Sequence, residues 1–290
     1  MLQTMGNDHR RWRIWSHQGL RIHYLRELDG TGRSLVAPYV RFLRTNVFDR
    51  PRFDKAFEWC SGPGFIGFSL LAEGLCKKLH LADINPQAVD ALRRTVRDNG
   101  LEDVVTVHLS DNFESIPATE SFDLVVGNPP WYFHDNPEHR IFGSTWLART
   151  LHRGRLCAID DGWKIHEAFY ASVADHLNPG AVVCPYVQAP FDSELWFSPR
   201  WGRGTLVEPK PYNVRPRPPF ETFRDMIEKS GLTYVATVSD RQYRDPLSLL
   251  GPFPGMWIMV SRMPAGDLSR GIRYQGNRSP YWPSLQSLQH

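Results

Sequence analysis

The sequence predicts an α/β fold: a Rossmann-like, doubly wound, mostly parallel seven-stranded sheet with an N-terminal cap. Two observations support this prediction. From residue 55 onward short apolar runs alternate with helical stretches, and a glycine-rich turn joins the first such strand to the first such helix. Alternating strands and helices form parallel sheets covered on both faces. Because crossovers are right-handed, the strand carboxyl ends, and with them the ligand, should lie along one edge of the sheet.

The strands are expected where short runs are apolar and rich in β-branched residues. These runs are 56–60, 79–83, 104–109, 122–127, 181–187, 232–238 and 256–261. The helices are expected where apolar residues recur at helical spacing, with proline tolerated in the first turn at Pro86 and a stop at Gly100. These stretches are 34–43, 65–75, 86–99, 164–177 and 220–230.

The chain divides into two parts. Residues 1–54 mix short aromatic and basic pieces with a turn at 29–32, and we expect them to be a cap that closes over the substrate. Residues 55–290 are expected to be the catalytic domain. Within it the Pro-, Gly- and Arg-rich stretch 196–219 is expected to be a loop insertion.

Composition excludes several classes of protein. Hydrophobic residues make up 41% and charged residues 22% of the chain, as in soluble globular proteins. No run approaches the ~20 apolar residues that span a bilayer, and the N-terminus lacks the apolar core of a secretory signal. The four widely spaced cysteines predict neither zinc nor disulfides, and therefore the reducing cytoplasm. The net charge of +3 is too small to indicate nucleic-acid binding by itself.

The first motif is the turn that follows strand 56–60. Glycines let the backbone approach a ligand without a Cβ in the way, and the helix that follows offers free N–H groups. A strand-to-helix turn also needs glycine for folding alone, so this motif is weak by itself. The candidate cofactor-binding residues here are Glu58, Cys60, Ser61, Gly62 and Gly64.

The second motif is an acidic residue at the end of the next strand. Asp83 lies about 20 residues beyond the glycine turn, where a carboxylate can accept both hydroxyls of a ribose. Its alternative role is a helix cap before Pro86. Asp111, just past the third strand, is placed to meet an adenine amino group, and its alternative is an ordinary turn aspartate.

The third motif, Asn128-Pro129-Pro130-Trp131, directly follows the fourth strand. Two prolines fix φ and remove N–H donors, which leaves carbonyl groups as acceptors. The Asn128 side-chain oxygen and the Pro129 carbonyl can then accept the two N–H bonds of a planar amide or amino group, while Trp131 stacks on it. Catalysis would come largely from orientation. The alternative is a structural turn. The candidate catalytic residues are Asn128, Pro129, Trp131 and Tyr132.

In this order the motifs resemble those of class I S-adenosylmethionine (SAM)-dependent methyltransferases over roughly residues 55–187. Gly62-Pro63-Gly64 resembles the SAM loop, Asp83 the ribose ligand, and residues 128–131 the (D/N)-P-P-(Y/F/W) signature of adenine-N6 and release-factor glutamine methyltransferases. The resemblance implies an enzyme with SAM as cofactor. It also implies adenine contacts near Asp111 and Asn112, and Ile84 and Asn128 are further candidate cofactor-binding residues. The loop departs from the common E/D-x-G-x-G-x-G pattern at Cys60 and Pro63.

The sequence identifies the methyl acceptor less directly than it identifies the cofactor. The short cap and the aromatic residues around the signature favour methyl transfer to a nitrogen of a small molecule or amino-acid-like substrate. The alternatives are a protein glutamine, a nucleic-acid adenine, and a SAM-consuming cyclase or lyase that releases methylthioadenosine by closing an azetidine-2-carboxylate ring. A SAM- or RNA-binding module without catalysis is the non-enzyme alternative. No metal and no membrane partner are expected, and Tyr24, Asp29 and Tyr39 of the cap are candidates to close over SAM.

Overall fold

The computed structural model of the chain describes residues 12–29, 32–45, 52–130, 164–188, 220–239 and 256–264. Trp131, Tyr132 and the predicted loop insertion 196–219 lie outside these residues. Within them the chain forms a seven-stranded sheet and a separate two-stranded hairpin.

The central sheet confirms the fold class. Its order is β5-β4-β3-β6-β7-β9-β8, with parallel pairing from β5 through β7 and antiparallel pairing of β9 with both β7 and β8. From β3 the chain moves outward to β5 and then returns to β6 on the other side, so the ligand-binding switch point lies between β3 and β6. The strands are β1 Trp12–His17, β2 Leu20–Leu25, β3 Phe53–Trp59, β4 Cys76–Asp83, β5 Val105–Leu109, β6 Phe122–Gly127, β7 Leu177–Gln188, β8 Thr233–Ser239 and β9 Met256–Arg262.

The helices confirm the predicted pattern, with two corrections: the helices expected over 65–75 and 164–177 both end early, the first at Ala72. They are α1 Gly32–Thr45, α2 Phe65–Ala72, α3 Pro86–Asn99, α4 Lys164–Val173 and α5 Phe220–Lys229. The helix expected over 164–177 ends at Val173, because a 3₁₀ turn follows and Leu177 already pairs with Phe122 of β6. The side chain of Asn178 bonds Ser121 Oγ at 2.6 Å and Asp123 Oδ1 at 3.1 Å. These bonds tie the segment predicted to be a helix stop to β6, so that it forms the start of β7.

Both faces of the sheet are buried. Leu124 and Val126 of β6 pack into the hydrophobic cluster that α1, α2 and α3 cover. Val125, between them, packs into the second cluster, with residues of α4 and α5. Because successive side chains of a strand point to opposite faces, the consecutive apolar residues 124–126 indicate burial on both sides, as the sequence predicted.

The hairpin β1–β2 was not predicted, because the first fifty residues were interpreted as irregular. Its free edge is closed by side chains of α3 rather than by another strand. Asn99 accepts from the Arg21 backbone N–H at 2.9 Å and donates to the Arg21 carbonyl at 3.0 Å. Thr95 accepts from the His23 N–H at 2.9 Å. These contacts join residues more than seventy positions apart, so local pattern did not reveal them.

The hairpin leads to the ligand edge of the sheet. After β2 a 3₁₀ turn, Arg26–Leu28, brings the Leu28 carbonyl to 3.6 Å from the Cβ position of Gly62. The cap thus touches the glycine turn, while the division of the chain at residues 54 and 55 stays a prediction.

No helix in the described part of the chain is long and apolar enough to cross a membrane. Cys60, Cys76 and Cys184 are free thiols, and Cys157 lies outside the described ranges.

A pair of histidines, of which His80 is buried and His108 half-buried, joins β4 and β5. His80 is 6% exposed, and its Nδ1 lies 3.1 Å from His108 Nε2. Glu120 Oε2 lies 3.8 Å from His80 Nε2. Burial, together with the neighbouring His108, lowers the pKa of His80 from 6.5 to about 4.

This depressed pKa predicts an acid-sensitive fold. Because the folded pKa lies below the unfolded one, the stabilisation is complete above pH 6.5 and is lost as the pH falls towards 4. We expect His80→Gln to weaken the dependence of unfolding free energy on pH by roughly 1–2 kcal/mol between pH 7 and pH 5, a range discounted for partial solvent access. Urea unfolding titrations of the wild type and of His80→Gln at both pH values measure this difference. An identical pH dependence in the variant would refute the assignment.

Candidate functional site

The site lies at the carboxyl ends of β3, β4 and β6, where the chain changes direction in the sheet. The structure brings together the glycine turn and Asp83, which the sequence had placed there separately. The Gly62 N–H donates to Asp83 Oδ2 at 2.7 Å, and the Asn85 N–H donates to Asp83 Oδ1 at 2.8 Å. The cap of α3 is Asn85, whose side chain accepts from the Gln87 N–H. Asp83 is therefore not the residue that caps the helix.

Glu58 fills the N-terminus of α2 with a carboxyl group. It is 2% exposed, its Oε2 accepts from the Gly67 N–H at 2.7 Å, and its carboxyl also accepts from the Ile66 N–H. A Cβ at residue 67 would lie 2.6 Å from that Oε2, so only glycine allows this approach. An acceptor oxygen at a helix N-terminus satisfies N–H groups that have no partner within the helix. The helix end that could bind an external anion is thus occupied from within.

Glu58 and Asp83 form a pair of carboxyl groups in low dielectric. Burial and, to a smaller extent, the nearby Asp83 raise the pKa of Glu58 to about 8 against the opposing effect of the Gly67 N–H. Burial also raises the pKa of Asp83, although its bonds from Asn85 and Gly62 favour the charged form. At neutral pH the pair therefore retains a proton, and a nearby cation would favour its release.

The turn between Trp59 and α2 uses left-handed backbone at three positions. Cys60 has φ 50°, Gly62 51° and Gly64 77°. At Gly64 a Cβ would also lie 2.7 Å from Leu92 Cδ2. Cys60 stands where the common pattern has glycine, and it adopts the left-handed conformation that glycine adopts without steric cost. The sequence difference therefore leaves the shape of the turn intact.

Ser61 is committed to holding the turn together. Its N–H and its hydroxyl both donate to the Ala82 carbonyl, at 3.0 and 3.1 Å. Its own carbonyl accepts from the Gly64 N–H at 2.7 Å. The side chain of Ser61 thus fastens the turn to β4, and its predicted cofactor contact stays a prediction.

Next to Asp83 lies a partly apolar rim. Ile84 is 55% exposed at the end of β4. Asp111 follows β5, and Asn112 (φ 45°) donates to Asp111 Oδ1 at 3.2 Å. Asn112 Oδ1 accepts from the indole N–H of Trp59 at 2.7 Å. The residues predicted to contact adenine therefore lie along one edge of the sheet.

Trp59 was missed by sequence reasoning. It is 1% exposed and stacks on Phe169 of α4 with ring centroids 3.9 Å apart. By bonding Asn112 it connects the end of β3 to the segment after β5. Its place directly after Glu58 in an apolar strand was visible in the sequence, but its hydrogen-bond partner lies 53 positions away.

The signature segment begins where β6 ends. Pro129 is buried, while Asn128 and Pro130 are half-buried. Gly127, just before them, packs against β3 so closely that a Cβ would lie 2.5 Å from the Trp59 carbonyl oxygen. The structure thus brings the signature to the same edge as the glycine turn. Trp131 and Tyr132, the other two predicted catalytic residues of this segment besides Asn128 and Pro129, lie outside the described residues.

The cap residues proposed to close over a ligand behave differently from one another. Arg33 bonds the Asp29 carboxylate and, at 3.2 Å, the Tyr24 hydroxyl. Tyr39 has no exposed surface, and its hydroxyl contacts the backbone of Gly127 and Cys184. The prediction that Tyr39 closes over the ligand is therefore wrong, because it lies inside the protein beneath the signature segment. In the described part of the chain no group of three or more His, Cys, Asp or Glu residues could hold a metal ion.

Comparison with known proteins matches part of the chain to methyltransferases. Residues 40–146 match the family described as methyltransferase small domain. The ribosomal RNA small subunit methyltransferase C of Actinobacillus pleuropneumoniae serotype 5b (strain L20) is 36% identical over 130 residues, which are 43% of this chain and 36% of that protein. The release factor glutamine methyltransferase of Aquifex aeolicus (strain VF5) is 33% identical over 129 residues, 44% of this chain and 43% of that protein.

The chain thus spans less than half the length of each of these two curated relatives. Among solved structures, the Thermus thermophilus 16S rRNA N2 G1207 methyltransferase in complex with AdoMet and guanosine aligns over 87% of this chain and 50% of that one, at 15% identity and a TM-score of 0.47. The resemblance to class I SAM-dependent methyltransferases is confirmed by the family match. The predicted enzyme class and the predicted cofactor, SAM, are those of this family.

The raised pKa of Glu58 predicts how its removal changes stability. Because the folded pKa of about 8 lies above the ordinary 4.5, Glu58 favours folding below pH 4.5 and loses that contribution as the pH rises through 8. A glutamine can still accept the Gly67 N–H without carrying charge. Glu58→Gln changes the unfolding free energy of the ligand-free protein. We expect this change to be about 1–3 kcal/mol more favourable at pH 8 than at pH 4.5. Thermal unfolding across this range measures it, and a pH-independent effect would contradict the buried-carboxyl account.

Proposed function

We propose that this chain is a SAM-dependent methyltransferase that acts on a planar nitrogen. The observation that supports this best is the Glu58 carboxyl at the N-terminus of α2. In dinucleotide-binding folds the helix after the glycine turn binds phosphate with its free N–H groups. Here the Ile66 and Gly67 N–H groups already bond Glu58. A ligand with phosphate is therefore disfavoured, and a cationic ligand without phosphate is favoured.

SAM fits this requirement, since it has a sulfonium and an ammonium group and no phosphate. When bound, it supplies an electrophilic methyl group on sulfur. Gly62 and Gly64 would lie against its methionine part, and Asp83 would hold its ribose. The Asp83 carboxylate accepts the backbone N–H groups of Gly62, Ile84 and Asn85, and of its roughly four lone pairs one remains for a ribose hydroxyl. The exposed Ile84, with Asp111 and Asn112, offers a rim for adenine.

The nitrogen is proposed from the signature segment. Asn128 and Pro129 follow β6 at the edge shared with the glycine turn. Their oxygens can accept both N–H bonds of an amide or an amino group and orient its nitrogen towards the methyl group, which contributes by positioning. The Aquifex aeolicus relative is named for glutamine, whose amide is such a nitrogen. The Actinobacillus relative is named for ribosomal RNA, whose bases include exocyclic amino groups.

The molecule that presents the nitrogen is the finer part of the proposal. The sequence favoured a small molecule, whereas the names of the relatives specify ribosomal RNA and protein glutamine and give the small-molecule prediction no support. Nitrogen chemistry is common to all three carriers. The proposal is therefore stated for the nitrogen, and the assay below separates the carriers. The cytoplasmic location stays a prediction.

The test measures transfer of label from [methyl-14C]SAM into three pools from cell extract: RNA, protein and small molecules. We expect label in one pool with the wild type. Asn128→Ala should lower turnover by roughly a hundredfold, since a misoriented acceptor loses the positioning contribution, and should leave SAM affinity within about threefold. Asn99→Ala is the matched control, because within the described ranges that amide bonds only the hairpin and its own helix.

Two results would overturn the proposal. If Asn128→Ala had the same turnover as the wild type, the signature segment would have no role in the mechanism. Methylthioadenosine formed from SAM alone, above the spontaneous background, would instead identify the cyclase or lyase alternative. Label found in the RNA, protein or small-molecule pool decides the carrier.

A further inference from the structure

A buried tyrosine from the cap reaches the exact point where the signature segment leaves the sheet. Tyr39 of α1 has no exposed surface. Its hydroxyl oxygen lies 2.6 Å from the Cys184 carbonyl oxygen of β7 and 3.0 Å from the Gly127 carbonyl oxygen of β6. The Gly127 N–H lies 3.3 Å from the same hydroxyl. One side-chain atom thus contacts the ends of two neighbouring strands.

The hydroxyl acts as a bridge between β6 and β7. It has a single proton to donate and lone pairs to accept, and the shorter distance assigns that proton to the Cys184 carbonyl. A lone pair then accepts the Gly127 N–H. Pro185, which pairs with Gly127 in register, has no N–H to offer β6. The tyrosine therefore adds a side-chain link between the two strands at this level.

Gly127 is held on its other side by β3. A Cβ at this residue would lie 2.5 Å from the Trp59 carbonyl oxygen and 3.3 Å from Trp59 Cβ. The peptide that leads into Asn128 is thus confined between the Trp59 carbonyl and the Tyr39 hydroxyl. A small displacement here would move the oxygens of both Asn128 and Pro129.

We propose that Tyr39 is a positioning residue, whose hydroxyl orients the Gly127–Asn128 peptide and thereby the acceptor-binding oxygens of Asn128 and Pro129. This inference rests on the proposed function of the signature segment. Tyr39 touches neither the cofactor nor the acceptor. It acts through the backbone of Gly127.

The surroundings keep the hydroxyl protonated and the ring fixed. Burial raises the pKa of Tyr39 well above 10, and the neighbouring Cys184, Tyr186 and Glu58 raise it too. The ring of Tyr186 packs edge-on against that of Tyr39, with centroids 4.6 Å apart. The hydroxyl can therefore donate across the physiological pH range.

The position of α1 connects this contact to the cofactor turn. The Cβ position of Gly32, at the first residue of α1, lies 3.1 Å from Phe65, the first residue of α2. Seven residues later on the same helix face is Tyr39. One helix of the cap thus contacts both the start of α2 and the signature segment, so it can hold the cofactor and acceptor sides of the site in register.

The test compares Tyr39→Phe with Tyr186→Phe in the full chain. Both substitutions remove one buried hydroxyl from the same ring pair, and only the first removes the bond to Gly127. We expect Tyr39→Phe to lower kcat by roughly tenfold or more, because near-attack geometry is sensitive to small displacements. KM for SAM should stay within about threefold. NMR should detect faster hydrogen exchange of the Gly127 amide, because that amide loses its acceptor.

The result expected of Tyr186→Phe is a kcat and a Gly127 exchange rate close to those of the wild type. Equal loss in both variants would overturn the proposal, because general packing would then explain the effect. Unchanged kcat and exchange in Tyr39→Phe would overturn it too. Absence of methyl transfer by the wild type would count against the proposed function alone, since the exchange rate of the Gly127 amide still tests the bridge.

Discussion

The bond between the Glu58 carboxyl and the Gly67 N–H is the interaction on which the candidate site depends. It fixes where α2 begins relative to β3, and it occupies the helix end that other nucleotide-binding folds leave open for phosphate. It also places a second buried carboxyl near Asp83, so that the edge of the sheet favours positive charge. The shape of the turn, the choice of glycine at residue 67 and the class of ligand all follow from this one contact.

The second constraint is the close approach of β3 and β6. At the switch point of the sheet the Trp59 carbonyl leaves room for no side chain at residue 127, while the Trp59 indole holds Asn112 beyond β5. One residue at the end of β3 therefore positions the backbone on the acceptor side and a polar side chain on the adenine side. The rigid meeting point of strands, rather than a flexible loop, sets the distance between the two halves of the site.

Local pattern was sufficient for elements whose determinants are local. β6 was predicted with its observed bounds because it is apolar on both faces, and α3 because Pro86 starts it and Gly100 ends it. The glycine turn and Asp83 were predicted from their order and spacing, and the structure joins them by a hydrogen bond.

Features that depend on distant partners were not predictable in this way. The hairpin β1–β2 is completed by Thr95 and Asn99 of α3, and the early start of β7 depends on Leu177 pairing with Phe122. Tyr39 was predicted to close over the ligand as a cap residue. Its hydroxyl instead contacts Gly127 and Cys184, which are 88 and 145 positions away, so its side chain lies inside the protein. An aromatic residue in an amphipathic helix reveals that it is buried but not what its hydroxyl contacts.

Calorimetric titration of the wild-type protein with SAM at pH 7, in two buffers of different ionisation enthalpy, tests the central claim most directly. If the site is a buried carboxyl pair that takes up a cation, SAM will bind at one site and release about one proton, because the pKa of Glu58 falls from about 8 when the cation arrives. NAD+ titrated under the same conditions will give no binding heat. Tight binding of NAD+, or SAM binding without proton release, would contradict the account.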